Sequence, residues 1–199
     1  MLKRLQTGVS LIEVLVGIAI IAMLMALGIP QYGTYLANAR LKATTDTLVS
    51  GLSLARAEAV KRNSGRVEMV LTDTAPEEVL VNGLNATTSG PNWVVREFVP
   101  FTGLFSFIEG REGGEGSGSA GARITATSAV ATFNGFGALT TGAAIIYDID
   151  NPSGGACDQA PPAARGPMRC LRVVVSPGGQ VRTCDPAVPA TALTDTRRC

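Results

Sequence analysis

One carboxylate, Glu13, stands in a run of residues, 9–29, whose only other interruptions are Ser10 and the permissive Gly17 and Gly28. Near the start of a membrane-length helix, an unpaired carboxylate costs roughly a few kcal/mol if it goes deep into lipid. Snorkelling to the interface or a cation close by offsets that cost, and the first is the plainer reading of the residue taken by itself. A second set is Cys157, Cys170, Cys184 and Cys199, all in the last 43 residues at spacings of 13, 14 and 15. An even count in a domain delivered outside the cytoplasm argues for disulfides, because four-thiolate zinc sites use close Cys pairs. Each bridge would stabilise by about 2–4 kcal/mol. A third set is Arg182, Arg197 and Arg198, which a Cys184–Cys199 bridge would draw together with Arg169 and Arg172 nearby. Guanidinium forks suit phosphate.

Other chemistry falls away. The chain has no histidine, which removes His-based triads, His metal sites and imidazole proton shuttles. Gly116-Ser117-Gly118-Ser119-Ala120-Gly121 fits the dinucleotide fingerprint formally. It lacks a strand before it and a helix after it, and Glu109, Glu112 and Glu115 would repel phosphate. Asp148, Asp150 and Asp158 could line a calcium loop, but a solvated acidic turn is the plainer reading. With no nucleophile–base constellation, the expectation is a protein without catalytic activity, cofactor, metal or small-molecule substrate.

The elements that must position these groups divide the chain of 199 residues in two. Residues 9–29 form a helix of about 32 Å, one hydrocarbon core. Lys3 and Arg4 precede it, which sets the N-terminus on the cytoplasmic side. A cleaved signal peptide is the rival, with Ala37-Asn38-Ala39 as its site; the apolar run is too long for it. Beyond Pro30 the helix continues, with Leu41, Thr45, Leu48, Leu52, Ala55 and Ala59 as a one-sided stripe. Asn63-Ser64-Gly65 stops it. Period-two patterning then predicts strands over 66–71, 93–99, 104–108, 124–133, 143–149, 171–176 and 180–184. Helix first and antiparallel strands after make an α+β fold. Residues 109–121 are the clearest flexible segment. Charge is uneven although the net is +1: residues 40–66 carry +4, 68–150 carry −7 and 157–199 carry +3.

A two-residue turn at Pro177-Gly178 would set Leu171 opposite Cys184 and favour Cys157–Cys170 with Cys184–Cys199. A three-residue turn would set Cys170 opposite Cys184 and leave Cys157 for Cys199. Both remain open.

Gly8-Val9-Ser10-Leu11-Ile12-Glu13-Val14 resembles the processing site of type IV prepilins and type II secretion pseudopilins. The resemblance implies a peptidase cut after Gly8, methylation of Val9, and Glu13 as the family's acidic residue. Val9 departs from the phenylalanine usual there. Pro30 falls where the family's helix has its proline, where a kink or local opening is expected. Leu54-Ala55-Arg56-Ala57-Glu58-Ala59-Val60-Lys61-Arg62-Asn63, Trp93, residues 131–137 and the closing 171–182 hairpin are similar to the GspH/FimT group of minor pilins and pseudopilins. By that resemblance, residues 1–8 are a leader, 9–30 a transmembrane or filament-core helix, and 31–199 a periplasmic pilin domain with amphipathic helix 31–63 and β-rich region 66–199. The implied partners are other pilins or pseudopilins, the prepilin peptidase and the inner membrane. The implied destination is a pilus or pseudopilus, at its tip. Some FimT-type minor pilins bind DNA through a C-terminal Gly-Arg-x-Arg motif. Here the matching stretch is Gly179-Gln180-Val181-Arg182, which lacks the first arginine.

Overall fold

The structure is a computed structural model that describes residues 10–63, 65–112, 121–159 and 165–199, and of 27–31 the backbone alone. The Gly116–Gly121 fingerprint, but for Gly121, and most of the flexible segment expected over 109–121 lie outside the described residues. The chain forms two compact units, Met1–Leu36 and Ala37–Cys199. Helix α1 (Leu11–Lys61) contributes to both. Among the described residues no helix is long and apolar enough to cross a membrane. The expected 9–30 span takes in residues beyond that description.

In the second unit the one-sided stripe becomes the inner face of α1. Leu41, Leu48, Leu52, Ala55 and Ala59 are fully buried, and Thr45 joins them by donating its hydroxyl to the Leu41 carbonyl at 2.8 Å. Each buried leucine contributes about 1.5–3 kcal/mol. The helix closes with Asn63 in the left-handed region, φ 46°, its amide donating to the Val60 carbonyl.

Among the described residues nine strands follow, paired antiparallel. The first sheet has the order β4 (Leu104–Arg111), β3 (Asn92–Val99), β1 (Val67–Thr72), β6 (Val130–Phe133). The second has the order β2 (Ser89–Gly90), β5 (Arg123–Ala126), β7 (Ile145–Asp150), β8 (Leu171–Val175), β9 (Val181–Cys184). Both contribute to one apolar cluster with α1, through Met69, Leu71, Trp93 and Phe133 of the first and Ile124, Tyr147, Ile149 and Val173 of the second.

Three features differ from the sequence-based expectations. Residues 124–133 are two strands in different sheets, not one. Ser128 bonds locally to the backbone of Val130, and buried positions change from Ile124 and Ala126 to Ala131 and Phe133, so alternation shifts by one at the break. Strand β4 extends to Arg111, into the stretch taken as flexible. A 3₁₀ turn, Glu78–Leu80, and strand β2 were not anticipated, both being too short for a periodic signal.

Central strand β1 is buried on both faces. On the face away from α1, Glu68 is 1% exposed and bound by Arg66 at 2.6 Å and Arg96 at 3.0 Å. Arg96 also stacks 3.7 Å over the Phe105 ring and donates to the Val81 carbonyl. A buried carboxylate held by two guanidinium groups needs such saturation to survive loss of water.

Candidate functional site

At the N-terminal end, every large apolar side chain between positions 11 and 25 is at least half exposed, from 51% at Val14 to 79% at Leu11. Glu13 stands exposed among them with no ion pair among the described residues. Its backbone amide donates to the Ser10 hydroxyl at 3.3 Å and to the Ser10 carbonyl at 3.1 Å, and the Val14 amide reaches the same carbonyl. Ser10 is therefore the helix N-cap, and Ser10-Leu11-Ile12-Glu13 has the spacing of a capping box. The sequence carries that signal in the spacing of Ser10 and Glu13. Gly8 and Val9 lie outside the described residues. At Pro30 the backbone is helical.

At the other end the chain is stapled twice, Cys157–Cys170 and Cys184–Cys199. The β8–β9 turn has three residues, but its register is not the one expected of a three-residue turn. Ser176 faces Gln180 across a Pro177-Gly178-Gly179 turn, and Arg172, not Leu171 or Cys170, stands opposite Cys184. The first bridge closes a loop whose Met168 is fully buried and whose backbone meets Asn38 of α1. The Asn38 side chain accepts from the Arg169 amide at 2.7 Å and donates to the Pro167 carbonyl. The second holds the tail, 185–199, along β9, where the Asp185 amide donates to the Arg197 carbonyl.

The arginines of this end differ in how far they are occupied. Arg197 binds Asp195 with two nitrogens, at 3.1 and 2.8 Å. Those bonds hold the Asp195 carboxyl below its ordinary range and raise the guanidinium further. Arg198 donates to the Ala190 carbonyl at 3.0 Å. Arg172 is bidentate to Asp148, at 2.7 and 3.2 Å, and Arg123 pairs with Asp150. Arg182 is exposed and unpaired among the described residues. The same geometry corrects the acidic-turn reading: Asp148 and Asp150 lie on β7, opposite Arg172 and Arg123, as cross-strand ion pairs.

A family model described as type II transport protein GspH matches residues 44–179, and one described as the prokaryotic N-terminal methylation motif matches residues 3–29. The chain belongs to the GspH family of minor pilins and pseudopilins. No curated protein sequence matches it. The type IV minor pilin FimU of Pseudomonas aeruginosa has a similar fold, with a TM-score of 0.51 at 13% identity over 74% of this chain and 90% of that one. A second crystal form of FimU gives 0.48 at 12% identity over 75% and 94%. Within the GspH-family match lie the α1 stripe from Thr45 onward, both sheets as far as β8, and the Cys157–Cys170 bridge. The methylation motif spans Gly8, Val9 and Glu13. Arg182, Arg197, Arg198 and the second bridge lie beyond both. This GspH-family subunit is a structural component that assembles with other pilins or pseudopilins.

Proposed function

We propose that the chain is a minor pilin or pseudopilin made as a precursor, cleaved by prepilin peptidase after Gly8 and methylated at Val9. Residues 9–30 then hold it in the inner membrane, with 31–199 in the periplasm, until it joins the tip of a pilus or pseudopilus and helps initiate assembly. The observation that carries this reading is the exposed apolar face from Leu11 to Met25 with Glu13 among it. Such a surface exceeds what a water-soluble protein leaves open, and lipid or the helices of other subunits must cover it. Glu13 near the start of that face is the complement of the amine that cleavage creates on a neighbouring Val9. Two charges that are costly apart neutralise each other only in register, so the pair checks assembly.

Intact mass and N-terminal sequencing of the protein from its native membrane fraction test the proposal. A start at methylated Val9 is expected; a start at Arg40 would make it a secreted soluble domain. Glu13→Ala should still be cleaved, because the pair can form only after the cut, and should enter filaments poorly. Normal incorporation would remove the charge-pairing argument.

DNA binding by the C-terminal arginines is the weaker reading. Arg197 and Arg172 are already bound by carboxylates and Arg198 by a carbonyl, which leaves Arg182 alone of the three candidates without a partner among the described residues. A salt-dependent DNA complex that Arg182→Glu abolishes would reverse that ranking.

A further inference from the structure

Three stretches of the chain, 54–63, 131–137 and 171–182, meet at one place on the second unit. The outer side of α1 and the β8–β9 turn enclose a cleft of about 570 Å³, lined by Arg56, Ala57, Val60, Lys61, Gln180 and Val181. Two glycines allow the approach. Gly137 and Gly179 take left-handed φ values of 74° and 76°. A Cβ on Gly179 would fall on the Gly137 carbonyl oxygen, and one on Gly137 would press on both Val60 and Arg56. The Arg56 Nε lies 3.1 and 3.3 Å from where the side chains of residues 137 and 179 would begin, so the guanidinium stem is confined between two backbones. Asn134 braces the loop, its Oδ1 accepting from the amides of Phe136 and Ala138, and the Leu139 amide donates to the Pro177 carbonyl.

Arg56 is half-buried and has no carboxylate or hydrogen-bond partner among the described residues. The cations beside it are occupied: Lys61 and Arg62 bind Glu58 at 3.2 and 2.6 Å, and Arg62 also binds Glu97. Phe136, next in sequence to Gly137, is 90% exposed, and Val60 in the lining is 51% exposed. A confined guanidinium without an anion is half of an ion pair, and aromatic residues and arginine are the types that concentrate binding energy at protein interfaces.

We propose that this cleft receives an acidic segment of a neighbouring filament subunit, whose carboxylate takes the Arg56 fork while an apolar side chain covers Phe136 and Val60. The proposal rests on the assembly reading above and adds the surface and the chemistry of one contact. Charge complementarity selects a carboxylate over a nucleic-acid backbone. The cleft offers one guanidinium without a partner among the described residues, its cationic neighbours Lys61 and Arg62 being held by Glu58, whereas a phosphate track needs a row of free cations.

The test uses the full chain in its native membranes, with a benzophenone amino acid in place of Phe136. Irradiation should join it to another pilin-type subunit at a peptide containing Asp or Glu. Arg56→Glu should lower that yield roughly 30-fold or more. Arg56→Gln, which keeps the stem and removes the charge, should also lose most of it. Changing the joined carboxylate to lysine should restore the Arg56→Glu adduct. Four results would overturn the proposal: an undiminished adduct from an Arg56→Glu chain with both disulfides formed, a joined peptide without acidic residues, an adduct to DNA, or no adduct from a chain that enters filaments normally. A chain that never enters a filament fails the assembly reading itself, and this proposal with it.

Discussion

Glu13 shows how one residue can answer to local and to intermolecular demands. Its backbone amide is capped by Ser10, a contact that survives any change of side chain, while its carboxylate has no ion pair among the described residues. Loss of the carboxylate therefore acts on assembly and leaves the start of the helix capped. Tyr147 is the opposite case, a group whose polarity serves no contact. It is fully buried in β7, its hydroxyl has no hydrogen-bond partner among the described residues, and burial pushes its ionisation far above the ordinary range. A buried donor without a partner carries the desolvation penalty of about 1–3 kcal/mol. Tyr147→Phe removes the hydroxyl and keeps the ring, so urea unfolding of the Ala37–Cys199 unit should show a gain of about 1 kcal/mol. A loss of similar size would mean that the hydroxyl is satisfied in solution.

At the scale of elements, the packing of α1 turns on Gly51. An ideal Cβ there would lie 2.7 Å from the ring of Trp93, so the helix approaches β3 more closely than any side chain allows. Gly51→Val should destabilise the Ala37–Cys199 unit by about 2 kcal/mol through overpacking. Trp93, the only tryptophan, supplies the fluorescence readout, and an unshifted emission with unchanged stability would show that the ring has room to move. The stripe on this helix was legible because its apolar residues recur at steps of four and three over five turns, and all six positions named from it are buried. The division of 124–133 was less legible, because a single serine carries the break and the shift of alternation shows only once the partner strands are known. The β8–β9 register depended on which residues form one turn. Pro177-Gly178-Gly179 admits several turns of similar length, and contact between Gly179 and Gly137, distant in sequence, selects one. The same kind of distant contact hid the Arg56 cleft. Its three contributing stretches lie far apart in sequence, and nothing local says that they meet.

For the molecule as a whole, the two disulfides are a case where equal covalent chemistry has unequal consequences. They join cysteines 13 and 15 residues apart, so loop-closure entropy assigns each about 3 kcal/mol. What lies inside each loop differs. The first loop contains Met168, fully buried in the shared core, and is tied to α1 through Asn38. It unfolds only when the core does, and its bridge should act on global stability in full. The tail held by the second bridge has no buried residue between Asp185 and Cys199, and its arginines point to surface partners. Without the bridge that tail can detach while the sheets persist, so the loss appears as local opening rather than global unfolding. Replacing Cys157 and Cys170 by serine should therefore lower the unfolding free energy by about 3 kcal/mol. Replacing Cys184 and Cys199 should lower it by about 1 kcal/mol or less, while trypsin gains rapid access to Arg197 and Arg198 under native conditions. Equal losses in the two variants, with the tail still resistant to trypsin, would mean that residues 185–199 fold as part of the core. In that case the C-terminal arginines would be fixed features of the subunit surface rather than a rim that depends on one bridge.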